Sequence, residues 1–112
     1  MANISVVGRI VSDDIELKIS ANNRPYLRFD LAERTGKGAY ARTQYYQVVA
    51  FGAIASQFAK RGLCRGALIS VEGTLELEDY LKRDGWTRDK RLKVIALRWR
   101  YLQPRDTKVP EQ

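Results

Sequence analysis

Residues 44–78 read QYYQVVAFGAIASQFAKRGLCRGALISVEGTLELE, and their periodicity changes twice. Over residues 44–51 the period is two. Tyr45, Gln47, Val49 and Phe51 line one face of an extended strand, while Tyr46 is directed to the opposite face, toward the interior or a dimer contact. From Ala53 to Arg61 the period lengthens: Ile54 and Phe58 sit four apart with Ala55 and Ala59 beside them, the pattern of a short amphipathic helix. Gly62 offers a left-handed cap, or the helix tolerates it and runs to Cys64, stopping at Gly66; the longer helix is the preferred reading. Alternation then resumes over residues 68–78, with Ile69, Val71, Leu75 and Leu77 inward and Ser70, Glu72, Thr74, Glu76 and Glu78 outward. Gly73 in the middle of that strand predicts a bulge or sharp coiling, as a small barrel needs at its corners.

Working outward, residues 4–9 alternate until Asp13-Asp14 breaks the run, and residues 15–19 alternate briefly again. Leu27, Phe29 and Leu31 point one way and Arg28, Asp30 and Ala32 the other, a half-buried strand that ends in the glycine-bearing loop Thr35-Gly36-Lys37-Gly38. The Asp-Gly signal at Asp84-Gly85 folds residues 74–100 into a long hairpin. Its second strand, residues 92–102, places Ile95, Leu97, Trp99 and Tyr101 on one face, with Trp99 in the core or an interface. Five strands with a helix between the third and fourth describe the Greek-key barrel called the OB-fold, an all-β architecture in which strands and loops commonly hold oligonucleotides. The expected organisation is one domain over residues 1–103 and a short polar tail over 104–112. OB-folds also bind proteins and sugars, so the fold alone leaves the ligand open.

Composition narrows the chemistry. At 112 residues the chain can bury a core without bridges or metals. It contains no histidine and one cysteine, Cys64, which removes the commonest general base and any conventional zinc site. No cofactor, metal or catalytic activity is expected. No apolar run approaches a bilayer span, the N-terminus reads straight into a strand and the lone cysteine fits a reducing compartment, so the expected location is the cytoplasm.

Charge is localised. Between Tyr80 and Arg100, eight cations (Lys82, Arg83, Arg88, Lys90, Arg91, Lys93, Arg98 and Arg100) against Asp84 and Asp89 leave +6 of the chain's net +7. Three aromatics, Tyr80, Trp86 and Trp99, lie among them. Cations for phosphates and ring faces for bases are what an unpaired polynucleotide needs. A solvated basic hairpin is the plainer reading of the charge. Arg98 and Arg100 are placed to bind phosphate or to pair with Glu76 or Glu78 across the sheet.

Three segments resemble the bacterial single-stranded DNA-binding protein family. They are residues 44–52, residues 63–75 with their Val-Glu-Gly-x-Leu core, and the opening strand ending Val-x-Gly-Arg. Together the likeness spans roughly residues 3–103. The resemblance implies an OB-fold homotetramer, or a dimer, that holds single-stranded DNA without sequence preference during replication, recombination or repair. It places Tyr45 and Phe51 at stacking positions of the third strand and Tyr80 at that of the hairpin, where the best-known members carry tryptophan at the sites of Tyr45 and Tyr80. Trp86 at the hairpin tip is a further stacking candidate. Lys82, Arg83, Arg88, Lys90 and Arg91 are the phosphate candidates of the hairpin, and Arg34, Lys37 and Arg42 those of the opposite loop. The sequence ends without the family's acidic tail, so the expectation is a short form without tail-mediated recruitment of protein partners. The alternatives are a primosome-type or RNA-binding OB module, and an interaction module docking acidic partners.

Overall fold

The computed structural model describes residues 2–103; the expected tail over 104–112 lies outside the described residues. In chain order the elements are β1 (Ala2–Ile10), β2 (Lys18–Ile19), β3 (Pro25–Thr35), a 3-10 turn (Gly38–Tyr40), β4 (Arg42–Phe51), α1 (Gly52–Arg61), β5 (Leu68–Leu81) and β6 (Arg88–Gln103). The sheet is ordered β1-β5-β6-β4-β3-β2, and β1 returns to β3 through Arg9↔Ala32 and Ile10↔Leu31. Five long strands therefore close into a barrel, the expected OB-fold, and the two-residue β2 is appended to the edge of β3. β4 and β6 run parallel, and the other pairs are antiparallel.

Alternation fills the barrel. Leu27, Phe29 and Leu31 of β3 are buried, as are Tyr46, Val48 and Ala50 of β4 and Ile69 and Val71 of β5, whereas Arg28 and Asp30 face out. α1 plugs one end with Ala55 and Phe58. The Phe58 ring meets Phe29 edge-on at 5.3 Å and stacks on Trp99 at 4.4 Å, so Trp99 packs against the core as expected. Burying a side chain of this size contributes about 1.5–3 kcal/mol. The inward phenol of Tyr46 donates to Glu33 Oε1 at 3.1 Å. Burial, and then this contact with Glu33, pushes its pKa up.

Two expectations are corrected. The helix ends at Arg61, before the glycine it was expected to cross: Gly62 adopts φ 64°, ψ 44°, and its N–H donates to the Ala59 carbonyl at 3.1 Å. The left-handed conformation is inexpensive for glycine, and it turns the chain so that Leu63 is buried. The second correction concerns the hairpin. The irregularity opposite Gly73 falls on β6, where the register passes from Glu72↔Arg98 to Gly73↔Ala96 and leaves Leu97 unpaired and exposed. A Cβ on Gly73 would lie 2.0 Å from the Ile95 carbonyl oxygen, so the absent side chain is what admits β6 this closely. The bulge switches the inward set of β6 from Val94 and Ala96 to Trp99 and Tyr101, so Leu97, and with it Ile95, leaves the inward set. Leu77, expected inside, is 61% exposed because the hairpin has by then run past the barrel.

Candidate nucleic-acid interface

The outward set of each strand continues that of its neighbour. Asp30, Gln47, Lys93 and Glu76 pair in one row across β3, β4, β6 and β5, and Arg28, Val49, Ile95 and Thr74 pair in the next. Tyr26↔Phe51 closes the row at one end, while Arg91↔Glu78 and Asp89↔Tyr80 extend the face along the projecting β5–β6 arm. Cross-strand partners share a face of the sheet. Ring and cation positions on four strands thus fall on one curved surface. Its middle is an open cleft of about 350 Å³ whose lining includes Tyr26, Arg28, Gln47, Phe51, Arg91 and Lys93.

At the barrel end, Phe51 is the residue immediately before α1, in extended conformation. Tyr26 lies 6.3 Å from it between ring centroids, and the Arg24 guanidinium sits 5.3 Å above its ring. Tyr45, opposite Ala32, is 61% exposed, as an unstacked platform would be. On the arm, Tyr80 is half-buried beneath the Arg91 guanidinium at 4.7 Å. Glu78 accepts from Arg91 Nε at 2.8 Å and from Lys93 Nζ at 3.0 Å. Its hydrogen bonds from Lys93 and then Arg91 hold its carboxyl below the usual carboxylate range.

The tip is built by Asp84. Its Oδ1 accepts from the backbone N–H groups of Trp86 at 3.0 Å and Thr87 at 2.8 Å, and its Oδ2 accepts from the Thr87 hydroxyl. These bonds, the Thr87 hydroxyl first, lower the Asp84 pKa. The turn holds Trp86 80% exposed.

Of the residues singled out in the sequence, Tyr45, Phe51, Tyr80, Arg91 and, through Arg34↔Thr43, Arg34 belong to this face. Arg42, Arg88 and Lys90 pair with Thr35, Leu81 and Asp79, which places them on the reverse of their ribbons. Lys37, Lys82, Arg83 and Trp86 lie in the two connecting loops. Lys82 is 3.6 Å from Asp89 and Lys90 is 3.9 Å from Asp79, whereas Arg83 and Arg88 have no acidic partner among the described residues. The pairing of Arg98 and Arg100 with Glu76 or Glu78 is corrected: they stand opposite Glu72 and Ser70, while Glu76 and Glu78 stand opposite Lys93 and Arg91.

The sequence reading did not name Tyr26, Arg24 or Arg28 as members of this face; it set Gln47 beside Tyr45 and Phe51 and counted Lys93 among the arm's cations without giving either a role. The alternation of residues 26, 28 and 30 against 27, 29 and 31 carried the signal for β3. It also missed Tyr40, fully solvated in the 3-10 turn. A larger cleft of about 480 Å³ opens between α1 and the end of β6, beside Lys60, Arg61, Trp99 and Tyr101. Trp99 and Tyr101 pack against the core there, Trp99 on Phe58 and Tyr101 under Arg61, so this cleft has no open ring, whereas the four-strand face has Tyr45. Among the described residues no cluster could hold a metal ion, and no helix is long and apolar enough to cross a membrane.

A sequence model of the family described as "Single-strand binding protein family" matches residues 1–102. Among solved structures, the chain is similar to a small single-stranded DNA-binding protein from Streptomyces coelicolor. The TM-score is 0.75 at 21% sequence identity, over 89% of this chain and 93% of that one. No curated protein sequence matches the chain.

Proposed function

The chain belongs to the single-strand binding protein family, and we propose that it holds single-stranded DNA across the outward face of β3, β4, β6 and β5. It is a DNA-binding protein of that family and not an enzyme. In this reading bases stack on Tyr45, Phe51 and Tyr80, with Tyr26 beside Phe51 and Trp86 at the tip. Phosphates follow Arg34, Arg91 and Lys93, with Lys37, Lys82 and Arg83 reaching from the loops. Arg42, Arg88 and Lys90 act on strand that passes around the ribbons. Binding is sequence-tolerant because every base offers a π-face to a ring. One observation carries the proposal: rings and cations from four strands form a continuous, solvent-facing surface on a closed barrel.

Protection of single strands during replication, recombination or repair follows from such binding, and a nucleoid-associated cytoplasmic location fits it. The domain that binds is residues 1–103, with 104–112 as an appended tail. The family is typically oligomeric, and the proposed assembly is a homotetramer. Exposed Val7, Leu77, Leu81 and Leu97 supply apolar surface for it on the sheet and the arm.

Alanine replacement tests the site. Tyr45→Ala and Tyr80→Ala are each expected to weaken binding to dT oligomers by about 1–3 kcal/mol with the thermal midpoint preserved. Unchanged titrations for both would remove this face from the path of the strand. The same titration with rU oligomers reports any contribution from a 2′-hydroxyl, which DNA lacks.

A further inference from the structure

Three charges on the arm half of the groove are committed to one another. Glu78 Oε1 lies 2.8 Å from Arg91 Nε and 2.7 Å from a terminal nitrogen of the same guanidinium. Its Oε2 lies 3.0 Å from Lys93 Nζ. The guanidinium so held is the one 4.7 Å above the Tyr80 ring. In the free protein, therefore, two cations facing the groove share a counter-charge and one face of the Tyr80 ring is covered. Elsewhere on the arm, Asp89 and Asp79 each meet a single lysine ammonium, at 3.6 and 3.9 Å. Of the arm's carboxylates, Glu78 alone engages two basic side chains.

We propose that Glu78 is an internal anion that keeps the arm half of the groove closed. A strand enters by substituting a phosphodiester for this carboxylate on Arg91 and Lys93, which frees Tyr80 to stack on a base. The inference rests on the reading that this face binds the strand. A carboxylate and a phosphodiester both offer two oxygens to the planar fork of an arginine, so one can replace the other without rebuilding the guanidinium site. The exchange is accessible because all three side chains are partly solvated, from 23% for Lys93 to 37% for Arg91, and ion pairs of this kind are weak. Glu78 thus lowers affinity and sets a threshold that a single small anion, lacking bases, does not cross.

Glu78→Gln keeps the shape and an acceptor oxygen but removes the charge. Titrated with a dT oligomer beside the parent protein, it is expected to bind about 3- to 10-fold more tightly at low salt. The slope of log K against log salt should steepen by roughly 0.7 for each additional phosphate neutralised. Equal or weaker binding by Glu78→Gln at low salt overturns the proposal. A second measurement uses the parent protein alone: the Arg91 Nε–H resonance should shift as dT displaces the carboxylate, and an unmoved resonance at saturation also overturns it. Failure of the parent to bind dT at all would instead remove the binding reading on which the inference rests. If the parent binds and the Arg91→Gln/Lys93→Gln pair does not weaken it, the strand lies elsewhere on the face and Glu78 gates nothing.

Discussion

The two halves of the groove are made differently. The barrel half, with Tyr26, Arg28, Tyr45, Gln47 and Phe51, stands on strands whose reverse faces are sealed in the core by Leu27, Phe29, Tyr46 and Val48. The arm half, beyond Leu75 and Leu92, has no core beneath it: Leu77 and Leu81 are exposed, and besides the β5–β6 ladder its order rests on ion pairs and the Asp84 turn. Packing holds a platform in place whatever the ligand, whereas surface ion pairs are weak, screened by salt and exchangeable. The barrel half is thus a fixed floor and the arm an adjustable wall.

The largest effect expected from breaking this contrast comes from beneath the floor. Phe58 joins Phe29 to Trp99, and its truncation leaves a cavity at the end of the barrel. Phe58→Ala should cost about 3–5 kcal/mol of unfolding free energy in a denaturant titration, with DNA binding lost in step with folding. A loss below about 1 kcal/mol would mean that the barrel does not depend on this ring stack. Next in size is the difference between the two tyrosines. Tyr45 offers an open ring on a packed strand, whereas Tyr80 already spends one face on Arg91. Within the range of about 1–3 kcal/mol for stacking, the Tyr45→Ala loss should exceed that of Tyr80→Ala. The reverse order would make the arm, and not the floor, the principal platform.

The charges of the arm give a smaller effect. Neutralising Lys82, Arg83 and Arg88 together should flatten the plot of log K against log salt by at most roughly 2, at about 0.7 for each phosphate left without its cation. Lys82 is already paired with Asp89, so its share should be the least. A slope unaltered by all three changes would mean that the arm's tip and reverse face lie in solvent during binding.

How far the sequence could be read follows the same division. The strand pattern of the barrel was legible because core burial imposes period two: Tyr45 out and Tyr46 in needed nothing beyond alternation. Gly73 announced an irregularity, but alternation within a single strand does not say which partner carries the extra residue, so Leu97 was assigned to the wrong face. Leu77 was assigned inward because its parity is that of Val71; parity persists along a strand after the core beneath it has ended. The ion pairs were within reach of the sequence. Folding the chain back on Asp84-Gly85 sets Glu78 opposite Arg91 and Glu76 opposite Lys93, whereas a tally of charge ignores register. The basic cluster is therefore partly self-neutralised, a wall with its own counter-ion.

The smallest effect expected is that of pH, and its near-absence is itself a test of the wall. Glu78 and Asp84 both have pKa values lowered by the hydrogen bonds they accept. A carboxylate whose pKa is depressed on folding contributes stability that is present above its unfolded value and is lost as pH falls through the folded one. Both groups therefore stay charged through the whole range above the ordinary carboxylate pKa of about 4. The chain has no histidine to titrate near neutrality. At the alkaline end the raised pKa of Tyr46 keeps its phenol protonated, and able to donate to Glu33, beyond the ordinary tyrosine value of about 10. Thermal midpoint and dT affinity should therefore be level from about pH 6 to 8, and the arm should loosen only on acidification below the carboxylate range. A step in dT affinity near neutral pH would show that the Glu78 clasp is not the charge that governs entry to the groove.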